Sequence, residues 1–375
     1  MISSLSLHNF KCYKNQSFNF SKLTIFCGSN SVGKSTAIQA LALAFQSGFS
    51  EKIMISGSLV DLGSSADIFS AYADDGDDSL SISISFEDPC IKNLQWTIEH
   101  TSDQRIAQNS LRAINYNEEI KKTICETYFE KFGFQFIEAE RFGPRDYFKT
   151  NRNDSSLNWL GSKGEYAYEI YSSLDNSIKR LNSEDPRIHK CADDGSTVRR
   201  NINYWMSEIA PNFIMESAVV KEARISHATF QANNSDKNSP VNMGFGLSYV
   251  LSVVIALLIT EPGGLVIIEN PEAHLHPRGQ SYLGRLIALS SLSGVQVIIE
   301  THSDHLLNGV RVIARTNKGY SEGDFTVHFI SSTTSGGNNV TTLDIGKKGE
   351  VSEWPQGFFD QQAKDIKAII KGSDE

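Results

Sequence analysis

Residues 28–35 read GSNSVGKS and fit the pattern G-x-x-x-x-G-K-[ST]. No other feature of the chain narrows its fold as much, because each letter serves one geometry. Gly28 and Gly33 let the backbone turn so that its N–H groups face a phosphate. Lys34 offers a point charge to β- and γ-phosphate oxygens, and the Ser35 hydroxyl offers a ligand to Mg2+. The flanks complete the unit. LTIFCG is a largely apolar run that enters the loop as a strand. Beyond Lys34, residues Ala37, Ile38, Ala40, Leu41, Leu43, Ala44 and Phe45 have the apolar pattern of a helix leaving it. The positive end of that helix adds to the attraction for anions. Strand, glycine loop and helix together imply ATP and Mg2+ as the bound species.

The rest of the chain divides around this unit. Short alternating runs carrying Leu5, Leu7, Phe18 and Phe20 precede the loop, and residues 79–100 alternate again as an antiparallel hairpin. They define a first ATPase lobe over residues 1–102. Residues 103–235 mix helical stretches at 118–132 and 166–181 with polar loops at 151–156 and 193–197, which predicts a mainly helical insertion. From Asn242 the pattern becomes regular: a loop with Gly244 and Gly246, an apolar helix at 249–260, then the strand LVIIE at 265–269. A helix after Pro277 and the strand VQVIIE at 295–300 follow. This alternation predicts an α/β sheet with parallel strands in a second lobe, residues 236–346, closed by a hairpin at 325–345. The tail, 347–375, carries WPQGFFD and a short amphipathic helix. Buried aromatics are the commoner case, so the tail is expected to cover a sheet edge.

Two strand ends carry candidate chemistry. LVII runs into Glu269, and an acid at the end of a buried strand beside a phosphate loop can hold the hydration shell of Mg2+. VQVII is followed by Glu300, Thr301, His302 and Ser303, and His302 there can reach the γ-phosphate and the attacking water. His274, His276, His302 and His305, with Glu269 and Glu272, also invite a metal-hydrolase reading. The spacing speaks against it, because His274 and His276 stand two apart before a proline rather than at i, i+4 on a helix.

Composition sets the remaining bounds. The 375 residues are 40% hydrophobic, enough for a large core, and the net charge of −9 gives no overall attraction for nucleic acid. Five cysteines without a CxxC pair predict no disulfide framework and a reducing, cytoplasmic setting. MISSLSLHNF lacks the charge pattern of a signal peptide. The longest mainly apolar stretch, 249–259, is shorter than the ~20 residues a bilayer span needs, so no membrane partner is expected.

Several segments in this order resemble the ABC-type ATPase heads of the SMC, RecF and OLD-like group. They are LSLHNFKCYKN with GSNSVGKST, AERFGPR, LGSKGE, NMGFGLS, LVIIENPEAHLHPRGQ, IIETHSDHLLN and WPQGFFD. More narrowly, the chain looks like the stand-alone bacterial AAA family ATPases of anti-phage defence loci, with a tail similar to an uncharacterised domain found on such ATPases. The resemblance implies an α/β fold: an ABC-type P-loop NTPase head with a mixed sheet, two lobes and the helical insertion. Carried over, residues 28–36 are Walker A, adding Asn30, Ser31 and Thr36 to the nucleotide-binding set. Glu269 becomes the Walker B acid and a metal ligand with Ser35, and His302 the switch histidine. Residues 242–248, with Gly244, Gly246 and Ser248, stand where the signature loop contacts a nucleotide held by a second subunit. The implied mechanism is two heads closing over two ATPs as a homodimer or higher homo-oligomer.

The pattern departs from the family at Asn270, which stands where a catalytic glutamate is usual and cannot accept a proton. Glu272 then becomes the substitute base, or hydrolysis is slow and the protein acts mainly as an ATP-gated clamp. No nuclease domain follows the ATPase, so the resemblance implies a separate effector, a nuclease or similar protein. The expectation is an ATP hydrolase whose ATP-gated association regulates that effector in bacterial anti-phage defence. The alternative is a DNA-repair or chromosome-maintenance ATPase acting directly on DNA. The acidic charge and the absence of sustained heptads in 103–235 count against it. A third reading, the cytosolic ATPase of a membrane transporter, fits the PEAHLHP element poorly.

Overall fold

The structure is a computed structural model that describes residues 1–91, 93–99, 108–151, 158–177, 179–192, 197–232, 236–333 and 337–372. For residues 99 and 175–177 only the backbone is described. The polar loops expected at 151–156 and 193–197, and the tip of the 325–345 hairpin, lie mostly outside these residues.

An antiparallel sheet holds most of the first lobe. Its strands are β1 (Ile2–Phe10), β2 (Tyr13–Asn19), β4 (Lys52–Met54), β5 (Ser79–Phe86), β6 (Leu94–Glu99) and β7 (Ser110–Ala113), in the order β2-β1-β5-β6-β7-β4. The second sheet combines β3 (Leu23–Gly28), β8 (Phe134–Ile137), β12 (Leu265–Glu269), β13 (Gln296–Glu300), β14 (Phe325–Ser332) and β15 (Asn338–Asp344). Its order is β15-β14-β3-β13-β12-β8, parallel throughout except for β15 at the edge. This sheet is covered on both faces, which is why its strands read as nearly unbroken apolar runs. Alternation still sorts them. Ile267, Ile298 and Phe26 face the core shared with the first sheet and α1 (Lys34–Gln46). Ile268, Ile299 and Ile25 face the helices of the second lobe.

Those helices are α6 (Phe245–Ile259), α7 (Pro277–Leu292) and α8 (Asp304–Thr316). Every residue from Val250 to Ile259 is buried, as the apolar run predicts. The shorter helices are α2 (Ser65–Ile68), α3 (Glu118–Cys125), which continues as a π-helical segment Glu126–Lys131, α4 (Ala167–Ser177) and α5 (Val198–Ile209).

The 103–235 region, expected to be mainly helical, is divided among three structures. β7 belongs to the first sheet and β8 to the second. Between β8 and α6, α4 and α5 pack with a third sheet of β9 (Tyr147–Lys149), β10 (Ile214–Val220) and β11 (Ile225–Gln231), in the order β10-β11-β9. Phe148, Tyr168, Phe230 and Phe213 join edge to face inside this unit. A four-residue apolar run such as FQFI does not distinguish strand from helix by periodicity, and only its pairing with β12 does. At the far end, Phe358 is buried against Phe329 of β14, one strand in from the edge, whereas Trp354 is 53% exposed. The helix behind it, α9 (Gln361–Lys371), buries no residue. No helix among the described residues is long and apolar enough to cross a membrane.

Candidate nucleotide-binding and active site

β3 ends at Gly28, and the loop 28–33 connects it to α1. Gly28 has φ 142°, and a Cβ there would stand 2.1 Å from the carbonyl oxygen of Ile330 on β14, so no side chain fits. The loop is held from below by Tyr13, whose phenol donates to the Gly33 carbonyl at 3.0 Å. Asn30 and Ser31 are exposed on its rim, whereas Thr36 is buried behind it and accepts from Cys12 Sγ at 3.6 Å. Lys34 is 3% exposed. Its Nζ donates to the Ser29 carbonyl at 2.6 Å and lies 3.8 Å from Glu300 Oε1. Ser35 Oγ donates to Glu300 Oε2 at 2.7 Å. Burial holds the Lys34 ammonium below its ordinary pKa and pushes the Glu300 carboxyl up, while each opposes the other's shift.

β12 and β13 end level, with Glu269 opposite Glu300. Glu269 Oε2 accepts the Ala139 N–H at 3.1 Å. Burial, then the Glu300 and Glu138 charges, push its carboxyl up to about 7 against that bond. Asn270 follows with φ 46°, the left-handed region that asparagine enters more readily than glutamate. Its N–H donates to the Glu300 carbonyl at 2.9 Å. The turn brings back Glu272, whose Oε1 accepts the His302 N–H at 2.7 Å and whose Oε2 is buried without a partner. Burial raises the Glu272 pKa as well. His302 sits on the other side of that bond, its pKa lowered first by partial burial and then by the Lys34 charge.

Beneath this turn lies Arg141, 3% exposed, from the AERFGPR segment after β8. It donates to the carbonyls of Glu269 and Asn270 at 2.7 Å each and to that of Glu138 at 3.0 Å. Its guanidinium stands 5.3 Å from the ring centre of Tyr249 on α6. Burial lowers its pKa to about 10, yet it stays charged at neutral pH.

The structure therefore gathers Lys34, Ser35, Glu269, Glu272 and His302 at the carboxyl ends of three neighbouring parallel strands, the usual ligand edge of an α/β sheet. It adds two residues to which the sequence reading assigned no role, Glu300 and Arg141. Glu300 carries the same signal as Glu269, an apolar strand running into an acid. The candidate signature residues lie apart from one another in character. Gly244 caps α6 with no atom within 4 Å of a built Cβ, and Gly246 is packed so closely that its Cβ would stand 2.5 Å from the His274 carbonyl. Ser248, a turn further along α6, buries its hydroxyl inside the fold. The four histidines do not form a metal group. The His274 ring packs on Tyr249, and His276 caps α7 by accepting the Arg278 N–H at 3.3 Å. Among the described residues no three His, Cys, Asp or Glu side chains are placed to hold a metal ion by themselves.

The family described as "AAA domain, putative AbiEii toxin, Type IV TA system" matches residues 23–308. The chain belongs to this AAA family. A second family, described as "Protein of unknown function (DUF3696)", matches residues 321–369 of the same AAA protein, from the turn before β14 into α9. No curated protein matches the sequence. Among solved structures, the fold is similar to a Smc head bound to the C-terminal winged-helix domain of ScpA. That match has 16% identity and a TM-score of 0.52, and covers 92% of this chain and 98% of that one. It is also similar to a Smc head with an extended coiled coil, bound to the C-terminal domain of ScpA derived from Pyrococcus furiosus. There the identity is 14% and the TM-score 0.53, over 99% of both chains. The AAA protein thus has the ABC-type P-loop ATPase fold, and its family is one of nucleotide-binding ATPases.

Proposed function

We propose that this chain is a Mg2+-dependent ATP hydrolase whose ATP-gated head-to-head association regulates a separate effector protein in the bacterial cytoplasm, as part of anti-phage defence. The observation that carries the reading is the buried Lys34 of the phosphate loop, 3.8 Å from the strand-end acid Glu300 and acted on by the charge of Glu272, whose Oε2 is buried without a partner. The residues fit the nucleotide: a glycine cradle closed to any Cβ, a buried cation, a serine hydroxyl and an orphaned carboxylate oxygen. Mg2+ bound with ATP neutralises phosphate charge and orients the oxygens. Lys34 holds the β- and γ-phosphates, and Asn30, Ser31 and Thr36 shape the loop around them.

Glu272 takes the proton of the attacking water on its free Oε2, while the His302 N–H fixes its other oxygen. Asn270 serves the turn and has no group that accepts a proton. The raised pKa of Glu272 suits a base working near neutral pH. Gly244, open at the exposed start of α6, offers backbone N–H groups to a nucleotide held by a second copy, and Gly246 lets α6 approach the 274 carbonyl. With Ser248 turned inward, the trans contact falls to the backbone around Gly244.

ATP binding and turnover by wild type, Lys34→Ala and Glu272→Gln test the chemistry. Lys34→Ala should weaken ATP binding by about a hundredfold or more, and unchanged affinity sinks the central claim. Glu272→Gln should keep binding and lose about 10²-fold or more in turnover. Mass measured with and without ATP tests the association, which fails if the mass never changes. Plaque counts on bacteria expressing wild type or Lys34→Ala test the defence role, which fails if the two protect alike.

A further inference from the structure

An open cavity of about 760 Å³ begins one residue along the chain from Arg141. Phe142, Arg145, Tyr147 and Lys149 of the same segment line it, and Tyr166 joins them. Its volume lies within the range of small-ligand sites. Rings and cations define its chemistry. The Arg145 guanidinium stands 4.3 Å from the centre of the Phe142 ring, a cation layered on a π face. Tyr147 is 56% exposed, although an aromatic ring gains by burial. β9 pairs with β11 so that Tyr147 stands opposite the exposed His227, which extends the same face of the third sheet.

Among the described residues neither Arg145 nor Lys149 forms an ion pair. The two acids at the cavity are engaged elsewhere. Asp146 accepts the Ser239 hydroxyl, and Glu165 Oε2 turns back to accept the Lys163 N–H at 3.0 Å. Flat rings beside unpaired cations match one ligand chemistry. Aromatic rings stack on a nucleobase whatever its identity, and arginine and lysine take up phosphate. An acidic peptide would satisfy the cations and leave the rings bare.

We propose that this cavity binds a nucleoside phosphate, free or as part of a single strand, and that the ligand acts as an effector of the ATP site. The second half rests on the reading of residues 28–36 as that site. The connection is the segment 141–146. At one end Arg141 holds the Glu269 and Asn270 carbonyls in the turn that presents Glu272. At the other, Phe142 and Arg145 form the cavity wall. Between them Gly143 lies so close to α6 that a Cβ there would stand 2.6 Å from the Phe245 ring, next to Gly244. A ligand stacked on Tyr147 and paired with Arg145 bears on both anchors.

The test is a titration of a fluorescent single-stranded decanucleotide into the full chain. It is run with the ATP site empty and again with a non-hydrolysable ATP analogue and Mg2+ bound. The probe should bind saturably. Displacement by an unlabelled 5′-phosphorylated dinucleotide assigns the free form, and displacement by the unlabelled decanucleotide alone assigns the strand. The Arg145→Ala, Lys149→Ala double variant should weaken binding about tenfold or more, and Tyr147→Ala about fivefold or more, the order expected for one stacked base. All three side chains are exposed, so these variants should unfold like wild type. Lys364→Ala on α9 should bind like wild type, which controls for the loss of one surface charge. Probe and ATP analogue should change each other's affinity by the same factor, about fivefold or more. Absence of saturable binding overturns the proposal, as does unchanged affinity in the cavity variants. Displacement by tripolyphosphate as readily as by the nucleotides overturns it too, and so does a probe affinity indifferent to the analogue. Lys34→Ala keeps the two readings apart. It should lose the analogue and keep the probe, and loss of both places the probe in the phosphate loop and overturns the proposal. If Lys34→Ala still binds the analogue like wild type, the ATP reading itself has failed, while probe binding still decides the cavity.

Discussion

His328 on β14 shows how one buried side chain sets a pH limit on this fold. It is 1% exposed and packed between the rings of Phe18 and Phe26, each 5.4 Å away. Nε2 donates to the Asn19 carbonyl at 2.8 Å, and Nδ1 faces the Thr342 hydroxyl at 3.1 Å, which suits a neutral ring. Burial holds its pKa below the ordinary 6.5, against the pull of the Asn19 carbonyl and Asp344. A lowered histidine pKa means that the folded state resists the proton the unfolded chain accepts. Its stability contribution is therefore complete above pH 6.5 and is lost as pH falls toward the lowered value. Denaturant unfolding from pH 7.5 to 5 should show wild type losing stability more steeply than His328→Gln. Parallel curves would show that this ring is not the cause. Asn270 makes a related point within the site. Its backbone turns left-handed, so the residue type there answers a conformational demand as well as a chemical one.

Among the elements, the turn after β12 depends most on a distant segment. Arg141 closes the carbonyls of Glu269 and Asn270 with one planar fork and touches α6 through Tyr249. Removing it leaves three carbonyls, of Glu138, Glu269 and Asn270, without their charged donor beside a left-handed residue. Arg141→Ala should cost about 3 kcal/mol in denaturant unfolding, and Arg141→Lys should recover little, because an ammonium does not span both carbonyls. A loss below about 1 kcal/mol would show the turn to be self-supporting. The same logic explains β8. Its four residues matter less for their own propensity than because they form the sheet edge from which the 139 and 141 contacts reach the site.

At the scale of the whole molecule, two cores meet across the β3-β13-β12 sheet, one shared with the antiparallel sheet and one with the helices. The site lies at the end of this doubly covered sheet, where strand ends are fixed from both faces. The C-terminal helix α9 stands outside both cores. Ile366, Ile369 and Ile370 are 49, 78 and 80% exposed, whereas Phe358 just before the helix is buried. Deleting residues 361–375 should therefore change unfolding free energy by no more than about 0.5 kcal/mol. A larger loss would mean that α9 supports the fold.

What the sequence determined by itself was local. The strand, loop and helix around Gly28–Lys34 follow from glycine freedom, apolar spacing and one cation within a few consecutive residues, and the apolar run read as a helix at 249–260 is the buried part of α6. The parallel lobe was legible for the same reason, since apolar strands and helices alternate in short steps after Asn242. Only the tertiary structure decided which acid meets the loop. Ser35 and Glu300 are 265 residues apart, and nothing in their neighbourhoods says that β13, not β12, lies beside β3. The third sheet and the clamp by Arg141 were hidden on the same ground. Periodicity records which face of an element is buried, whereas strand order and side-chain reach are settled when distant segments pack together.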